Sequence, residues 1–324
     1  MPGTLSEALD NLYTSTWRGM REGVADQIFD STPFFFWLKK NDKLETQAGG
    51  RTIDRSLEFA DGNQSVWLTK GESVSLNDVE ILSTATFDWR YLASPVTRFW
   101  QDDQKNRGKH QIVNLMRAKL GNAQKSIESK LETQLASTSG SSTNAFDGLQ
   151  HLVADDPTSA LTVGGISQAT YSWWQNKATN MTGESFATYG LDRMETLVNT
   201  IGNNKKREAP DIIVSGQTPF EYYKSTGLGY SQAYFKELLD MGFENIAFRG
   251  IPMTWTPSIA NTRMYFLNTN HLTLVYDPAY YFDMSEWMPV PTQVNDRVAH
   301  IALACATVTD GRRFHGVIHT IDTP

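Results

Sequence analysis

Between Lys109 and Ala136 the apolar residues Ile112, Met116, Leu120, Ala123, Ile127, Leu131 and Leu135 recur at steps of three or four. That spacing lays one narrow apolar stripe along a helix. Lys109, Lys119, Lys125, Glu128, Lys130 and Glu132 take the other faces. The pattern predicts a helix over 101–136, ended by the polar run "ASTSGSSTN". A helix of about 30 residues is roughly 45 Å long, more than a compact domain usually holds. The stripe drifts off a strict heptad and has no second helix of its kind, which argues against a coiled coil.

A different period governs residues 51–92. In "VEILSTATFDWRY", Val79, Ile81, Phe87, Trp89 and Tyr91 alternate with Glu80, Asp88 and Arg90, and upstream Ile53, Leu57 and Phe59 alternate with Asp54 and Glu58. Period two with one polar face predicts two strands, and "TKGESVSLND" between them reads as the tip of a long β-hairpin. Such a hairpin is marginal alone in water and needs a surface to lie on.

Residues 1–45 read as an arm. Apolar positions are sparse before Ile28, and Gly3, Gly19 and Gly23 interrupt any long helix. "TPFFFWLKK" at 32–40 then reads either as a buried local plug or as a segment that buries itself on a neighbouring chain.

Beyond the long helix, "FDGLQHLVAD" predicts a short strand and "GGISQATYSWWQNKATN" a Gly- and Trp-rich connection. Phe186, Leu191, Met194, Leu197, Val198 and Ile201 place a helix over 184–202. "PDIIVSG" reads as a buried strand. "TPFEYYKSTG" reads as a helix capped by Thr218 with Pro219 at its first position. A helix over 231–241 and strands from Asn245 to Tyr276 follow. Near the C-terminus, "AHIALACATVT-DG-RRFHGVIHTI" carries Asp-Gly between two apolar runs, a type I′ hairpin signal. That pairing sets Leu303 opposite Ile318 and Cys305 opposite Gly316. It puts Ile301, Leu303, Cys305, Phe314 and Ile318 on a core face and His300, His315 and His319 on the other.

Composition narrows the function. The chain has 324 residues, 40% of them hydrophobic and 20% charged, as in a folded chain of about two domains. Nine Trp, twelve Tyr and sixteen Phe supply large contact areas for cores or interfaces. A net charge of −7 argues against a dedicated nucleic-acid binder. The single cysteine, Cys305, rules out an intrachain disulfide. No signal peptide or membrane-spanning run is recognised, and the cytoplasm is the default compartment.

No catalytic, cofactor-binding or metal-ligating residue emerges. His315 and His319, four strand residues apart, would stand about 13 Å from each other. His300 and His319 lack a third ligand, which a catalytic zinc needs. Cys305 reads as buried and inert. "GLGYSQ" lacks the third glycine of a dinucleotide loop. Asp102–Asp103 and Asp155–Asp156 read as helix-start and turn residues.

The order of arm, long hairpin, long helix, mixed α/β region and final β-hairpin resembles the major capsid protein of tailed bacteriophages, the Hong Kong ninety-seven-type capsid fold. The local segments "FDGLQHLV", "PDIIVSGQTPFEYYKST", "FRGIPMTWTP" and "MYFLNTNHLTLVYD" are similar to family strands and helices in that order. The resemblance implies an α+β fold divided into an N-terminal arm (1–45), an extended loop (46–100), a peripheral domain (101–183, with spine helix 101–136), an axial domain (184–285) and a return to the peripheral domain (286–324).

It also implies a non-enzymatic subunit without cofactors that assembles, in the host cytoplasm, into the hexamers and pentamers of an icosahedral virion shell around double-stranded DNA, without sequence-specific binding. The hairpin would lie across a neighbouring subunit and the arm along another. A separate scaffolding protein or none, a portal and cement or decoration proteins are the further partners, and no membrane is involved. Some relatives weld subunits through a lysine–asparagine bond. Lys70 and Asn295 fall near the corresponding regions, but no neighbouring carboxylate is recognisable and Lys70 reads as a solvated tip lysine. The alternatives are an encapsulin-like nanocompartment subunit and, from another class, a glycan hydrolase, which would need two carboxylates across a cleft.

Overall fold

A computed structural model describes residues 10–19, 33–59, 67–73, 80–101, 109–136, 144–202, 208–226, 244–291, 293 and 295–322. The helix expected over 231–241, the loop "GLGYSQ", Asp102, Asp103 and Val79 lie outside them.

Two sheets organise the chain. The first joins β1 (Leu44–Thr46), β4 (Arg90–Arg98), β12 (Leu272–Met284), β13 (Met288–Pro289) and β14 (Arg297–Thr309). The second has the order β7-β15-β11-β8-β10-β9, formed by β7 (Lys177–Asn180), β8 (Ile212–Ser215), β9 (Asn245–Phe248), β10 (Ile251–Trp255), β11 (Met264–Leu267) and β15 (Gly316–His319). Two small hairpins complete the strands: β2 (Thr52–Glu58) with β3 (Leu82–Asp88), and β5 (Thr162–Val163) with β6 (Ile166–Ser167).

The long helix, Lys109–Leu135, packs on β4. Leu120, Ala123, Ile127, Leu131 and Leu135 are buried while Lys125 and Lys130 are exposed, so the stripe faces the core as its spacing requires.

The second sheet is buried on both faces. Ile212, Val214, Tyr265, Leu267 and Val317 belong to the main core. The alternate residues Ile213, Met264, Phe266 and Ile318 form a second core with the helices Phe186–Gly202 and Gln217–Thr226. Period-two strands between two apolar layers read in sequence as continuous apolar runs, as "DIIVSG" and "MYFL" do. The helix over 217–226 begins two residues before Pro219, the expected first position. The Asn261 side chain accepts from the Gln217 N–H at 3.1 Å, a cap supplied from elsewhere in the chain.

The final hairpin does not form. β14 is flanked by β12 on one side and β4 on the other, so along Arg297–Cys305 it has no free edge for β15. Cys305 pairs with Tyr276 and Arg90, not Gly316; Leu303 pairs with Tyr281 and Leu92, not Ile318. β15 enters the other sheet between β11 and β7. A single 3-10 turn, Arg312–Phe314, makes the crossing, and Gly311 sits at φ −161°, outside the left-handed region of a type I′ turn. Two turns that do use that geometry are Arg249–Gly250, with φ 51° and 82°, between β9 and β10, and Gly164–Gly165, with φ 59° and 77°, between β5 and β6. Segment 316–319 thus sits in the second sheet, apart from the strand that the Asp-Gly signal paired it with, while 272–284 lies in the first.

"FDGLQHLVAD" is a helical turn, Leu149–Leu152, rather than a strand. What replaces a strand partner is the Asn176 amide, which accepts from the Ala154 N–H at 3.0 Å and donates to the Ala154 carbonyl at 2.8 Å.

Candidate assembly surfaces

The extended loop begins as a tethered stem. Ile53, Leu57, Ala85 and Phe87 are buried, with Ile53 directly across from Phe87. The Thr86 N–H donates to the Gly164 carbonyl at 2.9 Å. Gly164, at φ +59°, lets this close approach happen, since a Cβ there would stand 3.0 Å from Ala85 and Phe87. Phe59 stacks on Trp173 with centroids 4.9 Å apart. The period-two pattern changes phase past Trp89: Trp89 is buried, Tyr91 is exposed, and Ser94, Val96 and Arg98 point inward. Trp89 lies between β3 and β4, where the chain leaves the hairpin for the first sheet, so Tyr91 falls on the outer face rather than on the expected inner one.

Beyond the stem the described residues of the loop are uncovered. Every residue from 67 to 73 is exposed, the Trp67 side chain wholly, as are Ile81 and Leu82. Gly71 at φ +101° turns the chain, and the Thr69 N–H donates to Glu72 Oε2 at 2.8 Å, which holds that carboxyl below its ordinary range. Lys70 and Asn295 are both exposed.

The described parts of the arm pack on their own chain. In the helix at residues 10–19, Tyr13 and Trp17 are buried and Tyr13 meets Trp287 edge-on at 5.2 Å. Asp10 pairs with both Arg98 of β4 and Arg297 of β14. The helix Pro33–Lys40 buries Phe34, Phe35, Trp37 and Leu38, which makes "TPFFFWL" a local plug.

Two buried polar nodes lie where the chain passes from β14 to β15. Arg312, fully buried, donates from Nε to the Leu152 carbonyl (2.7 Å), from Nη1 to the Trp174 carbonyl (3.3 Å) and from Nη2 to Asn176 Oδ1 (3.1 Å). Burial lowers its guanidinium to about 9, and Asp147 opposes that shift. His315 is also fully buried, contrary to the exposed face expected for it. Its Nδ1 accepts from the Asn268 N–H at 3.3 Å, which leaves Nε2 as the donor toward Thr309 Oγ1 at 3.3 Å. Burial, with a smaller contribution from His271, lowers the ring to about 3 and keeps it neutral.

The remaining candidate groups are structural. Among the described residues no cluster of three His, Cys, Asp or Glu could hold a metal ion. Asp155 pairs with Arg263 at 2.5 Å. Asp156 accepts from the Thr158 N–H and hydroxyl at 2.9 and 2.6 Å, bonds that lower its carboxyl. Burial pushes the Cys305 thiol up to about 12. Asp10, Trp17 and Arg312 were not legible as anchors, because each finds its partners more than 80 residues away.

No protein-family model matches the chain, and no curated protein matches it by sequence. Its backbone is nevertheless similar to solved shells. Against the capsid of cyanophage A-1(L) the TM-score is 0.63 at 16% identity, over 87% of this chain and 91% of that one. Against the capsid of a native GTA particle the TM-score is 0.56 at 10% identity, over 87% and 89%. The holo-SrpI encapsulin complex from Synechococcus elongatus is similar at a TM-score of 0.50 and 12% identity, over 90% and 88%. The chain therefore has the α+β fold of phage capsid subunits, the Hong Kong ninety-seven-type capsid fold.

Proposed function

We propose that this chain is a shell-forming subunit, the major capsid protein of a tailed bacteriophage, and that many copies close an icosahedral container around double-stranded DNA. The observation that carries the reading is the likeness of backbone, over most of both chains, to two capsids. The uncovered loop residues support it: the chain buries the described parts of its arm and the stem of its hairpin by itself, but leaves Trp67, Leu68 and Leu82 in water. Residues of that kind gain stability only against another surface, and many modest symmetric contacts are enough to close a shell. The function asks for shape and stiffness, not a reacting centre. The net charge of −7 suits a wall that does not grip packed DNA, since each cation–phosphate contact adds affinity.

Negative-stain electron microscopy of the expressed chain, alone and with a scaffolding protein, tests the proposal. Closed shells of uniform size are the expected result; a chain that stays monomeric in both settings defeats it. The likeness to an encapsulin complex favours a second reading, a protein-filled compartment. Particles purified from the native source decide between the two: nuclease-protected duplex DNA inside supports the phage capsid, and enclosed protein without DNA supports the compartment. Boiling such particles in detergent tests for a Lys70 weld, and a single band at the subunit mass is expected.

A further inference from the structure

On the outer side of the junction between β4 and the long helix lies a cavity of about 120 Å³. Leu92, Leu131, Ala145 and Phe146 are among its walls, with Arg90 and Lys130 beside them. Tyr91 and Lys130 are exposed, so the cavity opens to solvent. An apolar cavity of about 150 Å³ is enough to hold a benzene ring, so this one has room for the leading edge of an aromatic side chain inserted from outside. Two cations at its side suit a ring with an electron-rich face, and tryptophan offers the strongest such face.

The same fold displays a side chain of that description. Trp67 is wholly exposed at the end of the extended loop, next to exposed Leu68. Among the described residues nothing covers it, while Gly164 and Trp173 hold the stem of its hairpin in place. Charge agrees with the pairing. Between Phe59 and Leu82 the sequence carries four carboxylates, Asp61, Glu72, Asp78 and Glu80, against Lys70 alone, whereas the cavity carries Arg90 and Lys130.

We propose that Trp67 of one copy inserts into the cavity beside Tyr91 and Phe146 of a second copy, and that this knob-in-pocket contact registers neighbouring subunits. The inference rests on the self-assembly reading and deepens it by naming the contact. The cations Arg90 and Lys130 orient the incoming indole, and the acidic segment around it is drawn to the same place.

Hydroxyl-radical footprinting of the unaltered protein, free and assembled, is the first test. Trp67 and Tyr91 are expected to lose reactivity together on assembly. Shells in which Trp67 reacts as fast as in free subunits overturn the proposal and leave the shell reading standing; a protein that never assembles overturns both. A second test mixes Trp67→Cys copies with Ala145→Cys copies, each also carrying Cys305→Ala. Oxidised mixed shells should give disulfide-linked dimers on non-reducing denaturing gels, with none from either variant alone, and mixed shells without dimers overturn the contact. Third, Trp67→Ala should leave the melting temperature of the free subunit unchanged and raise the subunit concentration needed for assembly at least about tenfold, as loss of a buried aromatic anchor does. An unchanged threshold counts against the proposal.

Discussion

The indole N–H of Trp17 donates to the main-chain carbonyl of Phe282 at 2.9 Å, joining residues 265 positions apart. Phe282 is the extra residue of a bulge. Two steps along β12, from Tyr281 to Asp283, match one step along β14, from Leu303 to Ala302. It is fully buried at φ 50°, a conformation that is uncommon for a bulky residue. The bulge turns its carbonyl away from the ladder, and the arm helix supplies a donor. Trp17→Phe keeps most of the apolar contact and removes the donor, so it should cost about 1 kcal/mol. Trp17→Ala should cost about 3–5 kcal/mol. Urea denaturation measures both, and limited proteolysis should cut the arm of the alanine variant first.

Asp10 sits between Arg98 and Arg297, and the Asp10 and Arg98 side chains are almost wholly buried. Removing the carboxylate takes an opposite charge away from a buried guanidinium. Asp10→Asn is therefore expected to destabilise by about 3 kcal/mol, and Asp10→Leu combined with Arg98→Met should recover most of the loss. A double-mutant cycle on urea midpoints reads the coupling directly.

His315 gives the stability an acid limb. The folded ring is lowered by burial to about 3 from an unfolded 6.5. Between those values the unfolded chain binds a proton that the folded chain refuses. The contribution is whole above pH 6.5 and is lost as the pH falls toward 3, at up to about 1 kcal/mol per pH unit. His151, lowered by burial, adds a loss of the same sign, whereas Asp147 and Asp211, raised by burial, act in the opposite sense. The readout is consequently the difference between two proteins. His315→Asn retains an acceptor for the Asn268 amide and should cost about 1–3 kcal/mol at pH 7. Its unfolding free energy should fall less steeply than that of the unaltered protein from pH 6.5 to 4.5.

Two glycines should respond oppositely to alanine. A Cβ at Gly216 would lie 2.5 Å from the Ala260 carbonyl oxygen, main chain that cannot step aside, so Gly216→Ala should cost about 1–3 kcal/mol. Gly121 lies within the long helix with nothing within 4 Å of the added Cβ. There alanine should stabilise by about 0.5–1 kcal/mol through helix propensity. Thermal melts of the free subunits would show the two shifts.

The parts of the fold that sequence made legible are those with local causes. The stripe from Leu120 to Leu135 needs only the helical period to be read. Ile53, Leu57 and Phe87 needed only alternation, and the order of the segments was enough to recognise the fold. Asp310-Gly311 misled because a turn signal describes four residues, whereas strand pairing depends on free edges. The edges of β14 were already occupied by β12 and β4, and no local pattern records that. Arg312 was illegible for the same reason, since the carbonyls that hold it come from Leu152 and Trp174.

By itself, then, the sequence determined the kinds of element and their order, because periodicity and helix length are properties of contiguous residues. Only the tertiary structure decided that the arm lies on its own sheet, that β15 joins the second sheet and that His315 is buried. Each of those outcomes follows from which surfaces and hydrogen-bonding edges distant segments had already filled.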